Sequence, residues 1–403
     1  MKRPHLRSFV RIACLVILCF SIQDAWAHQR SESFSRWHYE GQRLSVLFTV
    51  SEAEAQRYFS PDGQQSLQRR LAAYLADRVG PSEDSACERV DAFSSTTANA
   101  GYLQFVAAWI CPKSPAAIDV GSFFELESEH SHLINTNFDE VFAQRLLDVD
   151  QHTWVFRDSE SRDASSGENV FVSFVERGAR HIFAGLDHIV FLLALMLVCW
   201  QGREMLWAIT GFTVGHSCSL ALAVLGIVQP EIRAIEAAIG LTIVLVIIER
   251  ASNAMANPRR AAMITSILLL AFLLPAKIGA SDWQVLLLAG MALFSYCYLL
   301  LAHELNRQAI FRLSITALFG LIHGFGFAGA FLAIDLPTDR LALSLAGFNI
   351  GVEIGQLIVL AMLALASQAS IAMPGKEQLI RETLAATVGG LGTFWFVSRL
   401  FGS

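Results

Sequence analysis

Residues 178–195 read GARHIFAGLDHIVFLLAL, an apolar run of membrane-spanning character that nevertheless contains two histidines and an aspartate. Ionisable side chains are costly inside a bilayer and mark functional sites there. His181, Gly185 and His188 are spaced i, i+4 and i+7, which would place them on one face of a helix, with Asp187 beside them. The run therefore predicts a membrane helix with a polar site inside it. A polar helix end at the membrane interface is the alternative interpretation.

The composition also indicates a membrane protein. Of the 403 residues, 54% are hydrophobic and only 16% are charged, and the mean hydropathy is +0.45, which is too apolar for an ordinary soluble enzyme. The formal net charge of −6 argues against a nucleic-acid-binding protein, because such proteins present basic faces. We predict eight transmembrane helices, while six or seven also fit the pattern. The predicted spans lie near 181–199, 205–227, 232–249, 261–280, 283–303, 310–334, 341–367 and 380–400.

The first residues have the layout of a secretory signal peptide, 1–27. Basic side chains precede a short apolar run, and Ala25-Trp26-Ala27 supplies a small-x-small cleavage site. Cleavage would leave His28 as the first residue and place the next domain in the periplasm, with the rest of the chain in a bacterial inner membrane. An uncleaved anchor is the alternative. The basic residues favour this orientation, because the loops assigned to the cytoplasm, including the one with Arg312, hold more of them than the opposite loops.

Residues 28–156 predict a small exported domain of the α+β or β-rich class, followed by a linker at 157–178 and the transmembrane helical domain at 179–403. Alternating and amphipathic patterns indicate its elements. We predict strands at 37–50, 102–110, 123–126 and 152–156 and a helix at 65–79. Cys87 and Cys111 are the two cysteines before the membrane domain, and an exported domain with two cysteines most simply joins them in a disulfide.

Further polar residues recur at the depth of the first site. They are His216 and Ser217 in the second predicted span, Glu236 in the third, His323 in the sixth, and Asn349, Glu353 and Gln356 in the seventh. At about 1.5 Å per residue, His188, His216 and His323 fall near one plane of the membrane, with Glu353 close to it. Nitrogen and oxygen ligands of this kind suit a divalent transition metal. The predicted ligands are His181, Asp187, His188, His216, His323 and Glu353, and the predicted secondary polar residues are Asn349, Gln356, Ser217 and Glu236.

Four runs of this sequence resemble the HupE/UreJ family, in its branch with an exported N-terminal domain. The runs are GARHIFAGLDHIVFLLAL, TGFTVGHSCSLALAVLG, FGLIHGFGFAGAFL and FNIGVEIGQL, which together cover most of residues 178–360. The family signature H-x3-G-x-D-H falls on His181, Gly185, Asp187 and His188, and the later signatures fall on His216-Ser217, His323-Gly324 and Asn349 to Gln356. The resemblance implies a nickel or cobalt permease associated with hydrogenase and urease accessory functions, and metalloenzyme maturation proteins as partners. Between Asn253 and His303 the chain departs from the family, because it carries an additional helical pair.

The predicted function is binding and transport of a divalent transition metal, with nickel favoured and cobalt or zinc as alternatives. The main competing function is an intramembrane zinc-dependent hydrolase, since such enzymes also gather His and Asp around zinc. An enzyme is the less favoured of the two. The chain contains no P-loop of the form GxxxxGK[ST], which argues against direct coupling to ATP.

A third hypothesis is a metal sensor or chaperone that acts through the exported domain. Cleavage would give His28 both a free α-amine and an imidazole, and His130 and His132 would share one face of an extended strand. Residues 28–178 carry a net charge of −10, which would attract cations. His28, His130 and His132 are therefore candidate ligands of a second metal site, with ordinary surface histidines as the alternative.

Overall fold

The computed structural model describes residues 31–401 apart from 60–65, 99–100, 129, 139–140, 157–166, 200–201, 230, 254–257, 273–281, 306–308, 334–337 and 372–376. The predicted signal peptide and His28 lie outside the described residues. The described part comprises a β-rich domain and, after it, a succession of long helices. This confirms the predicted fold class.

The β-rich domain contains a six-stranded sheet of order β4-β5-β2-β1-β7-β8 and a three-stranded sheet of order β3-β6-β9. Within the large sheet β1 pairs with β7 in parallel, and its other pairings are antiparallel. The strands are β1 (Glu32–Glu40), β2 (Arg43–Ser51), β3 (Val79–Pro81), β4 (Glu88–Thr96), β5 (Tyr102–Ile110), β6 (Ala117–Val120), β7 (Ser131–Phe138), β8 (Val141–Leu147) and β9 (Thr153–Val155). Two helices, α1 (Glu52–Tyr58) and α2 (Leu67–Ala76), accompany them.

Two predicted strands of this domain are wrong. Residues 37–50 form parts of two strands, because Gly41 turns the chain with a φ of +66° and closes the β1–β2 hairpin. Residues 123–126 form a turn that begins at Phe123, whose φ is +70° and whose ring is fully buried. The predicted strand at 102–110 and the core of the predicted helix at 65–79 are confirmed.

The predicted disulfide between Cys87 and Cys111 is confirmed. It joins the residue before β4 to the residue after β5 across a sequence separation of 24. Chain-entropy arguments value the closure of such a loop at about 3 kcal/mol of unfolding free energy. The bond therefore secures the β4 edge of the large sheet.

The second part of the chain is helical. Its helices are α3 (Gly167–Ala184), α4 (Leu186–Val198), α5 (Gly202–Val224), α6 (Ile232–Asn253), α7 (Pro258–Ala271), α8 (Asp282–Leu305), α9 (Ala309–Ala333), α10 (Thr338–Ile371) and α11 (Glu377–Phe401). Among the described residues, α5, α8, α9, α10 and α11 are long and apolar enough to cross a membrane, and α3 with α4 makes a sixth span if the bent pair counts as one. Helices α6 and α7 cover the third and fourth predicted spans, and their crossing of the membrane stays a prediction.

Helix α3 begins at Gly167, inside the segment 157–178 that the sequence predicts as a linker. Its apolar residues Val170 and Phe174 are buried, so an amphipathic pattern extends the helix ahead of the hydrophobic run. The polar composition of the segment concealed this pattern.

Arg312 is buried, although the sequence places it in a cytoplasmic loop. Its guanidinium lies 2.7 Å from a carboxylate oxygen of Glu249, and the side chains are 5% and 1% exposed. The hydroxyl of Tyr298 donates to the same carboxylate. This ion pair joins α6, α8 and α9, and it satisfies two charges that would be costly if left alone.

Candidate intramembrane metal site

The site begins at a break in the first membrane helix. Helices α3 and α4 meet at Gly185 and are bent by 72° relative to each other. A Cβ built on Gly185 would lie 2.6 Å from Nδ1 of His188, so a larger residue would displace that ring. The expectation that His181, Gly185 and His188 share one face of a continuous helix is therefore wrong, because the helix ends at Ala184. The bend nevertheless brings the His181 and His188 rings together, with centroids 4.7 Å apart.

Three histidines from α3, α4 and α5 form the centre of the site. His181, His188 and His216 each offer a ring nitrogen, and these nitrogens lie within 4.8 Å of one another. His188 is 5% exposed and His216 is fully buried. With metal–nitrogen distances of about 2.0–2.1 Å, tetrahedral ligand nitrogens lie roughly 3.4 Å apart, so small ring rotations would complete a site.

Hydrogen bonds fix the ring orientation of two of these histidines. Nδ1 of His188 lies 3.0 Å from Oδ1 of Asp187, which also accepts the His188 backbone N–H. Nδ1 of His216 lies 3.4 Å from Oδ1 of Asn349. Because a carboxylate and a carbonyl oxygen only accept, both rings carry their proton on Nδ1 and direct the lone pair of Nε2 elsewhere.

A hydrogen bond also orients the ring of His323 of α9, but in this residue Nε2 rather than Nδ1 is the donor. The Thr242 hydroxyl donates to the carbonyl of Ile239, so its oxygen accepts from Nε2 of His323 at 3.1 Å. Nδ1 of His323 is then the unprotonated nitrogen. The ring lies 5.3 Å from that of His188, which places His323 next to the trio.

Ring nitrogens of His188, His216 and His323 have no hydrogen-bond partner within the described residues. They are Nε2 of His188, Nε2 of His216 and Nδ1 of His323, all buried. A buried polar atom without a hydrogen bond is costly, and metal-ligating histidines usually donate their other N–H to an oxygen, as all three do here. The donor set therefore fits a metal ion bound by neutral imidazoles.

The remaining predicted ligand, Glu353, lies on the polar face of α10 but outside the trio. Its Oε1 accepts a hydrogen bond from the Thr210 hydroxyl at 3.2 Å, and Oε1 of Gln356 accepts one from Thr213 at 3.1 Å. With Asn349 bonded to His216, the i, i+4, i+7 pattern of α10 faces the polar stripe of α5 as the spacing predicts. Glu353 thus lines the same interface without joining the histidine trio.

Two predicted secondary residues bond to groups other than the histidines. The Ser217 hydroxyl donates to the carbonyl of Thr213 in its own helix at 2.7 Å. Glu236 pairs with Arg399 of α11 at 3.8 Å. These contacts explain both residues without a metal.

Sequence reasoning missed Thr242 and two aromatic residues of the site. The Phe212 ring lies 5.0 Å from that of His323, and the Phe348 ring lies 5.5 Å from that of His181. A threonine or phenylalanine in an apolar run carries no signal of its own. Only the packing of helices distant in sequence identifies them.

His130 and His132 of the β-rich domain belong to a buried series of hydrogen bonds. Its members, in order, are Trp37, Ser35, His132, Ser33, His130, Ser31 and Glu54. Ser33 Oγ lies 2.6 Å from Nδ1 of His132 and 2.8 Å from Nε2 of His130. The parallel pairing of β1 with β7 sets this alternation, since Ser33 is the partner of His132.

The two end residues of this hydrogen-bond series, Trp37 and Glu54, fix the direction in which its hydrogen bonds are donated. The Trp37 indole can only donate and an ionised Glu54 can only accept, so each group between them donates one hydrogen bond and accepts one. His130 and His132 then have both ring nitrogens engaged. Both rings are also buried, so the arrangement does not favour His130 and His132 as ligands of the predicted second metal site. Of the three predicted ligands, His28 lies outside the described residues.

The buried hydrogen-bond series that contains His132 predicts that acid destabilises the β-rich domain. Burial, with a smaller contribution from His130, holds the pKa of His132 well below its usual value of 6.5. The unfolded chain therefore takes up a proton below about pH 6.5 that the folded domain excludes, and unfolding free energy falls by about 1.4 kcal/mol per pH unit from there. We expect hydrogen exchange of β1 and β7, corrected for intrinsic rates, to show this loss between pH 7 and 5. His132→Gln should remove the slope and His152→Gln, at an exposed ring, should retain it; an unchanged slope in the first variant would contradict the assignment.

Comparison with protein families identifies the helical part. A family model described as HupE / UreJ protein matches residues 157–274 and 271–399, which is more than half of the chain. A search of curated proteins finds no significant match.

Proposed function

The chain belongs to the HupE/UreJ family, and from this membership and the histidine site we propose that it binds a divalent transition-metal cation within the membrane and carries it across. The observation that supports this most is the set of three buried ring nitrogens that lack a partner while their opposite nitrogens are held by oxygens. Neutral imidazoles ligate such ions without first releasing a proton. Nickel is the favoured cargo, and cobalt and zinc suit the same nitrogens.

The site has properties that suit a transient cargo. The trio supplies nitrogens only, and the nearest carboxylate, Asp187, bonds to His188 and compensates the charge of the cation from a second layer. A cation held by neutral ligands with one carboxylate behind them can leave more readily than one bound by several anions. Glu353 and Gln356 extend the polar interface along α10, which gives a departing ion further oxygens.

Two measurements on one preparation test the proposal. Elemental analysis of the purified chain should find nickel, cobalt or zinc at one ion or fewer per chain, lost on mild chelation. Vesicles containing the chain should accumulate the same ion faster than empty vesicles. A chain that neither binds nor moves any of the three ions would refute the proposal.

The intramembrane hydrolase is the second candidate. A hydrolase needs a general base beside its zinc, and among the described residues the carboxylate of Glu353 is bonded to Thr210 instead. Zinc that resists chelation, together with turnover of a peptide or ester substrate, would favour the enzyme. Rapid exchange of the bound ion would favour transport.

The contact of Asp187 with His188 predicts a partial loss of metal affinity when Asp187 is changed. Asp187→Asn should weaken metal binding by about 10- to 100-fold, because the amide can no longer hold the Nδ1 proton of His188 as a charged acceptor. Isothermal titration of the purified variant with Ni²⁺ measures the change. Glu304→Gln, at the exposed end of α8, is the matched control and should bind as the unmodified chain does. Equal affinities for all three chains would place Asp187 outside the site.

The membrane topology completes the proposal. We propose that residues 1–27 are removed, that 28–156 form a periplasmic domain, and that the helices from 179 lie in the inner membrane. The domain's acidic surface would then concentrate cations at the membrane entrance. Protease treatment of intact spheroplasts should remove this domain, and its protection would reverse the orientation. Metalloenzyme maturation proteins are the proposed recipients of the metal on the opposite side.

A further inference from the structure

Helices α3 and α10 touch backbone to backbone. A Cβ built on Gly178 would lie 1.9 Å from the carbonyl oxygen of Phe348, and one built on Gly351 would lie 2.0 Å from that of Val175. Both distances are far below any real contact, so glycine is required at both positions. A Cβ on Gly355, further along α10 than Gly351, would lie 3.1 Å from the carbonyl oxygen of Ala179, further along α3 than Val175. Residue numbers therefore increase together along the contact, and the two helices run parallel.

Helices α5 and α9 make the same contact. A Cβ built on Gly320 would lie 2.0 Å from the carbonyl oxygen of Phe212, and one built on Gly215 would lie 1.8 Å from that of Ala317. A Cβ on Gly211, earlier in α5 than Gly215, would lie 2.4 Å from the carbonyl oxygen of Leu313, earlier in α9 than Ala317, so these helices also run parallel. The four close approaches therefore have the same geometry in two places.

Two numbering offsets, one for each pair of equivalent helices, relate the two contacts. An offset of 142 relates Gly178 to Gly320 and Val175 to Ala317, and an offset of 136 relates Phe212 of α5 to Phe348 of α10. The first offset also carries His181 onto His323. Their ring contacts agree independently, since His181 lies 5.5 Å from Phe348 and His323 lies 5.0 Å from Phe212.

Helices α9 and α10 run opposite to their equivalents α3 and α5. Helix α5 runs antiparallel to α10, because Thr210 bonds to Glu353 while His216, further along α5, bonds to the earlier Asn349 and stacks on Phe348. The bond from Thr213 to the long Gln356 side chain lies out of this order. Since α10 is parallel to α3 and α9 is parallel to α5, α9 must run opposite to α3.

Helices α6 and α11 form a third close contact, to which each helix contributes a glycine. A Cβ on Gly240 of α6 would lie 3.0 Å from the carbonyl oxygen of Gly392 of α11, and one on Gly392 would lie 3.1 Å from that of Gly240. Such exchange of roles is the mark of a twofold relation. Helices α3, α5 and α6 are thus related to α9, α10 and α11 by an inverted repeat.

The two repeats differ in backbone conformation at one pair of equivalent positions, Gly185 and Phe327. The first breaks at Gly185, whereas α9 continues without a break through Phe327, its counterpart at the same offset. Inverted repeats in transporters place the substrate between them and expose it alternately to the two sides. We infer that the two repeats exchange these conformations, so that α9 bends while α3 and α4 straighten, and that His323 then takes the place of His181 at the cation.

This inference rests on the proposed function for the identity of the cargo, while the exchange itself is a property of the helices. In the described conformation the trio contains His181, and His323 lies beside His188. In the exchanged conformation His323 would join the trio from the opposite side of the membrane. A cation held by His188 would thereby face each side in turn.

Spin-label distances across the two equivalent segments test the exchange. The first pair is Glu176→Cys with Val190→Cys, and the second is Leu318→Cys with Leu332→Cys, in a full chain whose Cys199, Cys218 and Cys297 are serine. A straight helix separates each pair by about 21 Å, and a bend of 72° shortens the distance by about 4 Å. Ile267→Cys with Leu293→Cys, on exposed positions of α7 and α8 outside the repeats, is the control and should show one fixed distance.

We expect both pairs to show the same two distances with opposite populations, and addition of Zn²⁺, a diamagnetic probe, to shift them in opposite directions. A single distance in each pair under every condition would overturn the exchange. Hydrogen exchange on the unlabelled chain provides a second measurement, in which residues 324–328 should open as residues 185–189 do, and complete protection of 324–328 would also overturn it. Exchange without metal binding would refute the proposed function alone, whereas metal binding with fixed distances would refute the exchange alone.

Discussion

Replacement of His188 by asparagine should lower metal uptake into vesicles by at least about two orders of magnitude. His188 is the residue on which the site converges, because its ring contacts those of His181 and His323 and is held by Asp187. The variant loses an unpartnered ligand nitrogen at the centre of the trio. Loss of one of three ligands costs more than the roughly 10- to 100-fold expected for a supporting residue.

The measurement compares initial rates of Ni²⁺ uptake at equal protein content in the membrane. His303→Ala is the matched control, since this histidine lies exposed at the end of α8 and should leave the rate unchanged. Normal uptake by the His188 variant would show that the site is wrongly placed. A variant that fails to accumulate in the membrane would instead indicate a structural role, which the melting temperature in detergent reports separately.

Replacement of Gly215 by alanine should destabilise the helical domain by about 3 kcal/mol or more. The added methyl carbon would lie 1.8 Å from the carbonyl oxygen of Ala317, so α5 and α9 must separate by more than an ångström. Overpacking of a tight interface typically costs 1–3 kcal/mol, and here a rigid backbone rather than a flexible side chain opposes the new atom. The displacement would also shift the adjacent His216.

Gly290→Ala provides the control, because a Cβ built on this helical glycine of α8 would meet nothing within 4 Å. Alanine favours a helix over glycine by about 1 kcal/mol, so this variant should be as stable as the original chain or more so. Unfolding in mixed detergent, followed by circular dichroism, measures both variants. Equal stability of the two would contradict the close contact of α5 with α9.

Sequence spacing identified the polar residues of the membrane site but not all of their roles. Counting residues from the predicted span ends placed His188, His216 and His323 at one depth, and their rings do lie in one cluster. The same counting included Glu353, which has the expected spacing along α10 but bonds to Thr210. Depth is set by helix rise alone, whereas the direction of a side chain around the bundle depends on helix packing.

Charge and exposure were less predictable. Arg312 stands near the end of an apolar run, where sequence alone indicates a solvated loop, yet it is buried against Glu249. His130 and His132 are two residues apart, but nothing local shows that they are covered or that Ser31, Ser33 and Ser35 lie beside them. In both cases the partner is distant in sequence, and a single chain without its contacts does not reveal it.

By itself the sequence determined the fold class, the disulfide, the family and most of the site's residue types, because these depend on composition, helical period and local spacing. Only the tertiary structure decided that the first helix breaks at Gly185, that Thr242 and Asn349 orient His323 and His216, and that two helix groups form an inverted repeat. The physical reason is that these features arise where backbones remote in sequence touch. A glycine in an apolar run permits such a contact, but the helix that occupies the space is chosen by the packing of the whole domain.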